Sequence, residues 1–338
     1  MKDLIQKLTN VGRGVVLGTA ALASGACLPN ESVEIPVEEP TPIEELVEEQ
    51  IPETIAFSGT LLAIDNGTTP SVYRFNLNAG QDNVVPERIS NGLNHRGDYY
   101  PTCELDEIVF SRIKDRGMGL VKSQRVDDAS QIKQSEQDLP RQYQASIYNT
   151  PSLSSDGAIA AGREDVTFGL LERNSFGEWT ESQIPTPFSF VMGASFNPEN
   201  PNEIIYIGND HPSGSEIVKQ VVRDNSQLPS LIQDGYLEVL VTDFNRDREL
   251  DNKPRFSPDG SRIVYENNDG QIKGVDSDGG NPILYGEGSR PFYSPDGKYI
   301  IFTPKDGVGN QHYVDAETGV EMILPGTEGF KGFTSCPD

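Results

Sequence analysis

The strongest constraint on this chain is a phrase it writes twice. Pro254-Arg-Phe-Ser-Pro-Asp-Gly-Ser-Arg-Ile-Val-Tyr returns 37 residues later as Pro291-Phe-Tyr-Ser-Pro-Asp-Gly-Lys-Tyr-Ile-Ile-Phe. Each copy reads as a strand ending in an aromatic, a tight turn, and a second apolar strand. The turn has a local cause. Proline presets φ, aspartate bonds its own backbone, and glycine takes the positive φ. A further turn and an outer strand follow each copy, at Asp276-Ser-Asp-Gly-Gly-Asn-Pro-Ile-Leu and at Asp315-Ala-Glu-Thr-Gly-Val-Glu-Met-Ile-Leu. From residue 54 onward the same texture holds, with short apolar alternations cut by Gly, Asp, Asn and Pro. That is the pattern of an all-β chain, and self-similarity at a fixed period marks a repeat architecture.

Weaker copies lie upstream. Thr150-Pro-Ser-Leu-Ser-Ser-Asp-Gly-Ala-Ile-Ala-Ala is one, Gly193-Ala-Ser-Phe-Asn-Pro-Glu-Asn-Pro-Asn-Glu-Ile-Ile-Tyr another, and Tyr100-Pro-Thr-Cys-Glu-Leu-Asp-Glu-Ile-Val-Phe a third. The phrase resembles the TolB-type (WD40-like) β-propeller repeat, closely over 248–325 and loosely before it. The resemblance implies blades of four antiparallel strands around a central channel. The first unit, with runs from Thr60, Ser71 and Glu87, lacks its opening strand. Gly332-Phe-Thr-Ser-Cys-Pro-Asp at the other end looks like the start of one more copy. Residues 332–336 are therefore expected to supply the innermost strand of the first blade, closing the ring and removing free sheet edges. Residues 59–338 divide into six blades of about 47 residues, inside the usual repeat length. Seven blades, and an open β-sandwich, are the alternatives.

The amino terminus reads as an address. Lys2, Lys7 and Arg13 precede an apolar run, Val15 to Ala26, whose 12 residues are short of the roughly twenty that span a bilayer. Ser24-Gly25-Ala26 before Cys27 resembles the lipobox of bacterial lipoproteins, with serine where an aliphatic residue is usual. It implies that residues 1–26 are a signal peptide and that Cys27 is lipidated. Leu28 after the cysteine is compatible with export to the outer membrane. Residues 27–54 then form a tether. Between 29 and 53 lie five prolines and nine glutamates with no basic residue, so charge repulsion and stiff prolines favour an extended, solvated spacer over a short helix at 43–50. Residues 55–338 are the propeller.

Overall the chain has 338 residues and a formal charge of −25, which excludes a generic nucleic-acid binder because phosphate neutralisation needs a basic face. Cys103 and Cys336 are an even pair in an exported chain. The repeat places them at equivalent points of adjacent blades, where a disulfide locks the ring; two unpaired buried thiols are the alternative. No nucleophile elbow, zinc-protease helix or phosphate loop is present. His95, His211 and His312 are scattered and read as ordinary loop or surface histidines. Asp243, Asn245, Asp247 and Asp251 fall at positions 1, 3, 5 and 9 of one loop and are candidate calcium ligands. Arg246 and Arg248 within that loop offer the competing reading of salt-bridged acids. Arg96-Gly97-Asp98 spells an adhesion triplet that a plain turn explains equally well.

The resemblance implies a monomeric, non-catalytic envelope lipoprotein, held to the membrane by Cys27, whose propeller binds a protein partner. The alternative is a lyase, cyclase or hydrolase with its site in the channel. No resident cofactor is expected apart from calcium at the loop.

Overall fold

The computed structural model describes residues 54–336 apart from 91–96, 105–106, 115–116, 127, 140–148, 163–167, 185, 187, 189, 210–214, 222–236, 245–252 and 306–308. Strands β1 (Gly59–Asp65), β2 (Val72–Leu77) and β3 (Glu87–Arg88) belong to a first sheet. A second holds β4 (Gly97–Glu104), β5 (Glu107–Lys114), β6 (Gly117–Gln124) and β7 (Gln137–Asp138), with helix α1 (Ala129–Gln134) between its last two strands. A third holds β8 (Asn149–Leu153), β9 (Ile159–Gly162), β10 (Phe168–Arg173) and β11 (Trp179–Ile184). A fourth holds β12 (Phe190–Phe196), β13 (Glu203–Asn209), β14 (Ser215–Val221) and β15 (Leu237–Phe244). The fifth has seven strands: β16 (Arg255–Phe256), β17 (Arg262–Glu266), β18 (Gln271–Asp276), β19 (Ile283–Tyr293), β20 (Tyr299–Pro304), β21 (Gln311–Asp315) and β22 (Glu321–Leu324). Finally β23 (Phe330–Cys336) pairs antiparallel with β1, Thr60 opposite Cys336 and Leu61 opposite Ser335, and completes the first sheet. The fold is an all-β propeller.

The seven-stranded sheet departs from the expectation of separate four-stranded units. Its cause is β19, which runs 11 residues without a turn. Gln271 to Gly274 of β18 pair with Ile283 to Glu287, and β20 pairs with Gly288 to Tyr293. At Gly288, where one pairing hands over to the other, a Cβ would sit 2.5 Å from the Thr303 carbonyl oxygen. Only glycine lets the backbones approach that closely.

The repeated turns are built as their composition dictates. Ser257 Oγ donates to Asp259 Oδ1 at 2.6 Å, the Gly260 N–H donates to the Ser257 carbonyl at 2.9 Å, and Gly260 has φ +65°. Ser294 with Asp296 and Gly297, and Ser154 with Asp156 and Gly157, repeat the arrangement. These aspartates serve turn geometry.

Between sheets, the core follows the strand period of two, in which successive side chains face opposite sides. Ile263 packs with Ile205 and Ile207, whereas the next residue, Val264, packs with Ile300 and Phe302. Ile205 and Ile204 divide likewise, Ile204 joining Phe168 and Leu170. So do Ile159 and Ala160, and Val109 and Phe110. The series returns on itself: Ile301 packs with Leu61 and Phe75, while Leu62 packs with Ile108 and Phe110. Every second strand thus glues its sheet to both neighbours. Within the second sheet, Asp98 is fully buried and takes Arg112 with both carboxylate oxygens, at 2.6 and 3.1 Å. Burial opposes the Arg112 charge, but hydrogen bonds to Asp98 and Glu136 outweigh it and raise its pKa. The adhesion-like triplet therefore ends in a structural ion pair.

Candidate functional site

The innermost strands β23, β4, β8, β12, β16 and β19 touch in that order, and β19 returns to β23. A small set of residues near the end of each strand decides what faces the axis. In β4, β8, β12 and β19 the pairing register slips just before this point, between Tyr99 and Thr102, Asn149 and Ser152, Met192 and Ser195, and Ser289 and Phe292. The β1–β23 pairing slips as well. These are β-bulges, which bend a strand and re-aim its side chains. Tyr100, Gly193, Arg290 and Gly332 have φ of +53°, +65°, +56° and +60°. For Tyr100 and Arg290 this left-handed backbone costs about 1–3 kcal/mol each, a strain that surrounding structure must hold in place.

Two residues after each bulge come Thr102, Ser152, Ser195, Phe292 and Thr334, and Arg255 occupies the matching place in β16. Together they line a cavity of about 90 Å³ at the channel mouth. Arg255 Nη1 reaches Thr334 Oγ1 at 2.8 Å. Lys253 is buried and donates through Nζ to the Pro151 carbonyl at 2.9 Å. Ser152 Oγ accepts from the Phe196 N–H at 3.0 Å. Side chains of β16 thus bridge to β23 and to β8 at this end of the ring. Glu104 is the carboxylate on this wall; burial pushes it up to about 7, against the opposing charge of Arg125.

Cys103 and Cys336 are bonded to each other with Cα atoms 5.2 Å apart, joining β4 to β23, and Cys103 lines the same cavity. His312 lies away from the mouth, its Nδ1 2.5 Å from Glu321 Oε1. Of the calcium candidates, Asp243 belongs to β15, and Asn245, Asp247 and Asp251 lie outside the described residues. So do Cys27, the tether, His95 and His211. Among the described residues, no group of three or more His, Cys, Asp or Glu is placed to hold a metal. The ring of hydroxyls and the two axial cations are not evident in composition. Their signal is positional: Tyr100, Lys253 and Arg290 each precede a proline at the same offset from the turn.

No family model matches the sequence, and no curated protein does. Solved structures do match. TolB from Acinetobacter baumannii superposes with TM-score 0.61 at 14% identity, covering 84% of this chain and 68% of that one. A putative TolB from Agrobacterium tumefaciens gives TM-score 0.44 at 15% identity, covering 83% and 94%. An oligogalacturonate lyase in complex with manganese gives 0.47 at 12% identity, covering 76% and 71%. The first of these establishes the likeness in fold to TolB.

Proposed function

We propose that this chain is an exported, monomeric propeller, anchored to a bacterial membrane by lipid on Cys27, that binds a protein partner of the cell envelope over the mouth of its channel. In this reading the seven-stranded sheet is two blades sharing β19, six in all. The observation that supports a docking role is the bridged mouth of the ring. Arg255 and Lys253 are committed to Thr334 and Pro151 there, and the cavity they border, about 90 Å³, is far below the roughly 300–1,000 Å³ of small-molecule sites. A partner would rest on the mouth instead of entering it. The acidic tether would hold the domain away from anionic lipid.

A second reading has one observation in its favour. Glu104, held near neutrality at the mouth, has the acidity of a general acid–base group. That reading makes the protein a channel enzyme, and loss of an activity in Glu104→Gln would identify it.

The test is crosslinking in intact envelopes followed by capture of the protein. Capture of a partner with wild type, reduced by Ser195→Trp at the mouth, supports docking there. Equal capture by both refutes it. Acyl labelling that disappears in Cys27→Ser supports the anchor, and mature protein without label refutes it.

A further inference from the structure

A second hollow, of about 480 Å³, opens at the seam of the ring, where β23 meets β19. It lies toward the loop joining β20 to β21, away from the Ser294–Gly297 turn at the other end of the β19–β20 hairpin. Its volume falls within the usual range for small-molecule sites. Two cations stand on its wall, Arg290 of β19 and Lys331 of β23, in a chain whose formal charge is −25. The wall is held in place. Asn310 Oδ1 accepts from the Thr327 and Glu328 N–H groups, each at 3.0 Å, and the Asn66 N–H donates to the Gly329 carbonyl at 3.0 Å. These bonds fix the loop that leads into Lys331. Arg290 sits at a β-bulge with φ +56°, a backbone that glycine adopts at less cost. An arginine kept in a strained conformation points to a use for its side chain.

The side chains also set the chemistry. Burial pushes the Arg290 pKa below its ordinary value even with Tyr100 alongside, so an added negative charge would favour it. Lys331 makes no ion pair among the described residues, although Glu328 lines the same hollow. Gln311 is only 2% exposed. Its Oε1 accepts from Thr303 Oγ1 at 2.9 Å, whereas its Nε2 donates to nothing among the described residues. A guanidinium, an ammonium and an amide nitrogen are all donors. Donors of this kind bond most strongly to oxygens that carry negative charge. Ser289 adds a hydroxyl and Phe330 an aromatic ring. A cationic ligand would meet Arg290 and Lys331. Glu328, exposed at the rim, disfavours a large polyanion.

We propose that this hollow binds a small oxyanion, a carboxylate or a phosphate, between Arg290 and Lys331, with Gln311 Nε2 and Ser289 Oγ donating to it. The proposal is independent of partner docking at the channel mouth and of the lipid anchor.

Titration calorimetry on the intact protein with succinate and with inorganic phosphate tests it, in a sodium chloride buffer and with spermidine as the cationic control. At least one of the two oxyanions is expected to bind at millimolar concentration or below, and the stronger of them identifies the ligand as carboxylate or phosphate. Lys331→Gln, a change at a half-buried position, should fold normally and weaken that binding about fivefold. Arg290→Lys keeps the charge but loses the planar fork, and should weaken it about tenfold. Lys298→Gln removes an exposed cation at the opposite end of the β19–β20 hairpin and should leave binding unchanged. Failure of both oxyanions to bind, preference for spermidine, binding untouched by Lys331→Gln and Arg290→Lys, or an equal loss in Lys298→Gln would each overturn it.

Discussion

Breaking the Cys103–Cys336 bond is the most direct perturbation of ring closure. The bond spans 233 residues of sequence. In the chain-entropy description a cross-link of that span restricts the unfolded chain by about 5 kcal/mol at 25 °C. Both sulfurs are buried, Cys336 at 0% and Cys103 at 4% exposure, so removing them also loosens the packing with Leu62, Val72 and Ile108. Replacing both cysteines by alanine is therefore expected to lower unfolding free energy by about 3–5 kcal/mol. For a domain of this size that corresponds to a fall in Tm of about 10 °C. The assay is equilibrium unfolding in guanidinium chloride, followed by far-ultraviolet circular dichroism, on oxidised wild type, reduced wild type and the double variant. Reduced wild type and the double variant should both show a lower midpoint, the variant the lower of the two by the packing it loses. A midpoint change worth less than about 1 kcal/mol would refute the account. So would rapid alkylation of Cys103 in the native oxidised protein.

Three further outcomes follow from particular contacts. Asp98→Asn strands the buried Arg112 guanidinium with Glu136 alone and should cost about 3 kcal/mol, while Asp98→Asn with Arg112→Met should recover part of that loss; thermal denaturation of the set distinguishes them, and equal stability of Asp98→Asn and wild type counts against the pair. Glu104 titrates near 7 when folded against 4.5 ordinarily, so the folded state holds a proton that the unfolded state releases, and stability contributed below pH 4.5 is lost as pH rises to 7. Glu104→Gln should then match wild type near pH 4 and exceed it in Tm above pH 7; a gap that does not vary with pH is the adverse result. Truncation before Phe330 removes the partner of β1 and exposes a sheet edge, so light scattering should report association, and a stable monomer would contradict the closure.

Much of the fold could be read from local chemistry. The Ser-Pro-Asp-Gly turns declared themselves because serine, aspartate and glycine act within four residues, and the structure uses each for the bond that its type permits. The closing strand was legible because Gly332-Phe-Thr-Ser-Cys repeats an opening whose remainder is missing. The continuous β19 was not, since separate four-stranded blades imply a break between one outer strand and the next inner strand, and its absence depends on Gly288 meeting Thr303 from another strand. The site was harder. Arg255 and Lys253 look like ordinary surface cations in sequence, and only the arrangement of the inner strands brings them to Thr334 and Pro151 on other sheets.

The topology assigns the disulfide a specific partner in this scheme. Among the described residues, all the strand pairings join elements close in sequence, except that of β1 with β23. Hairpins form cheaply, whereas bringing residue 60 to residue 336 carries a loop-closure penalty of about 5 kcal/mol in the simplest chain model. The Cys103–Cys336 bond removes nearly the same quantity from the unfolded chain, because it spans nearly the same loop. It also holds β23 against β4 of the neighbouring sheet. Once oxidised, this long-range pairing becomes comparable in entropy to a local one. The closing cluster around Ile55, Phe57, Tyr299 and Tyr313 can then assemble on a ring that is already tethered. Closure should accordingly be the slow, late step in the reduced chain. Single-exponential refolding of the oxidised protein, with a slower added phase in the reduced protein, is the kinetic expectation, and identical refolding of the two would mean that the ring closes by another route.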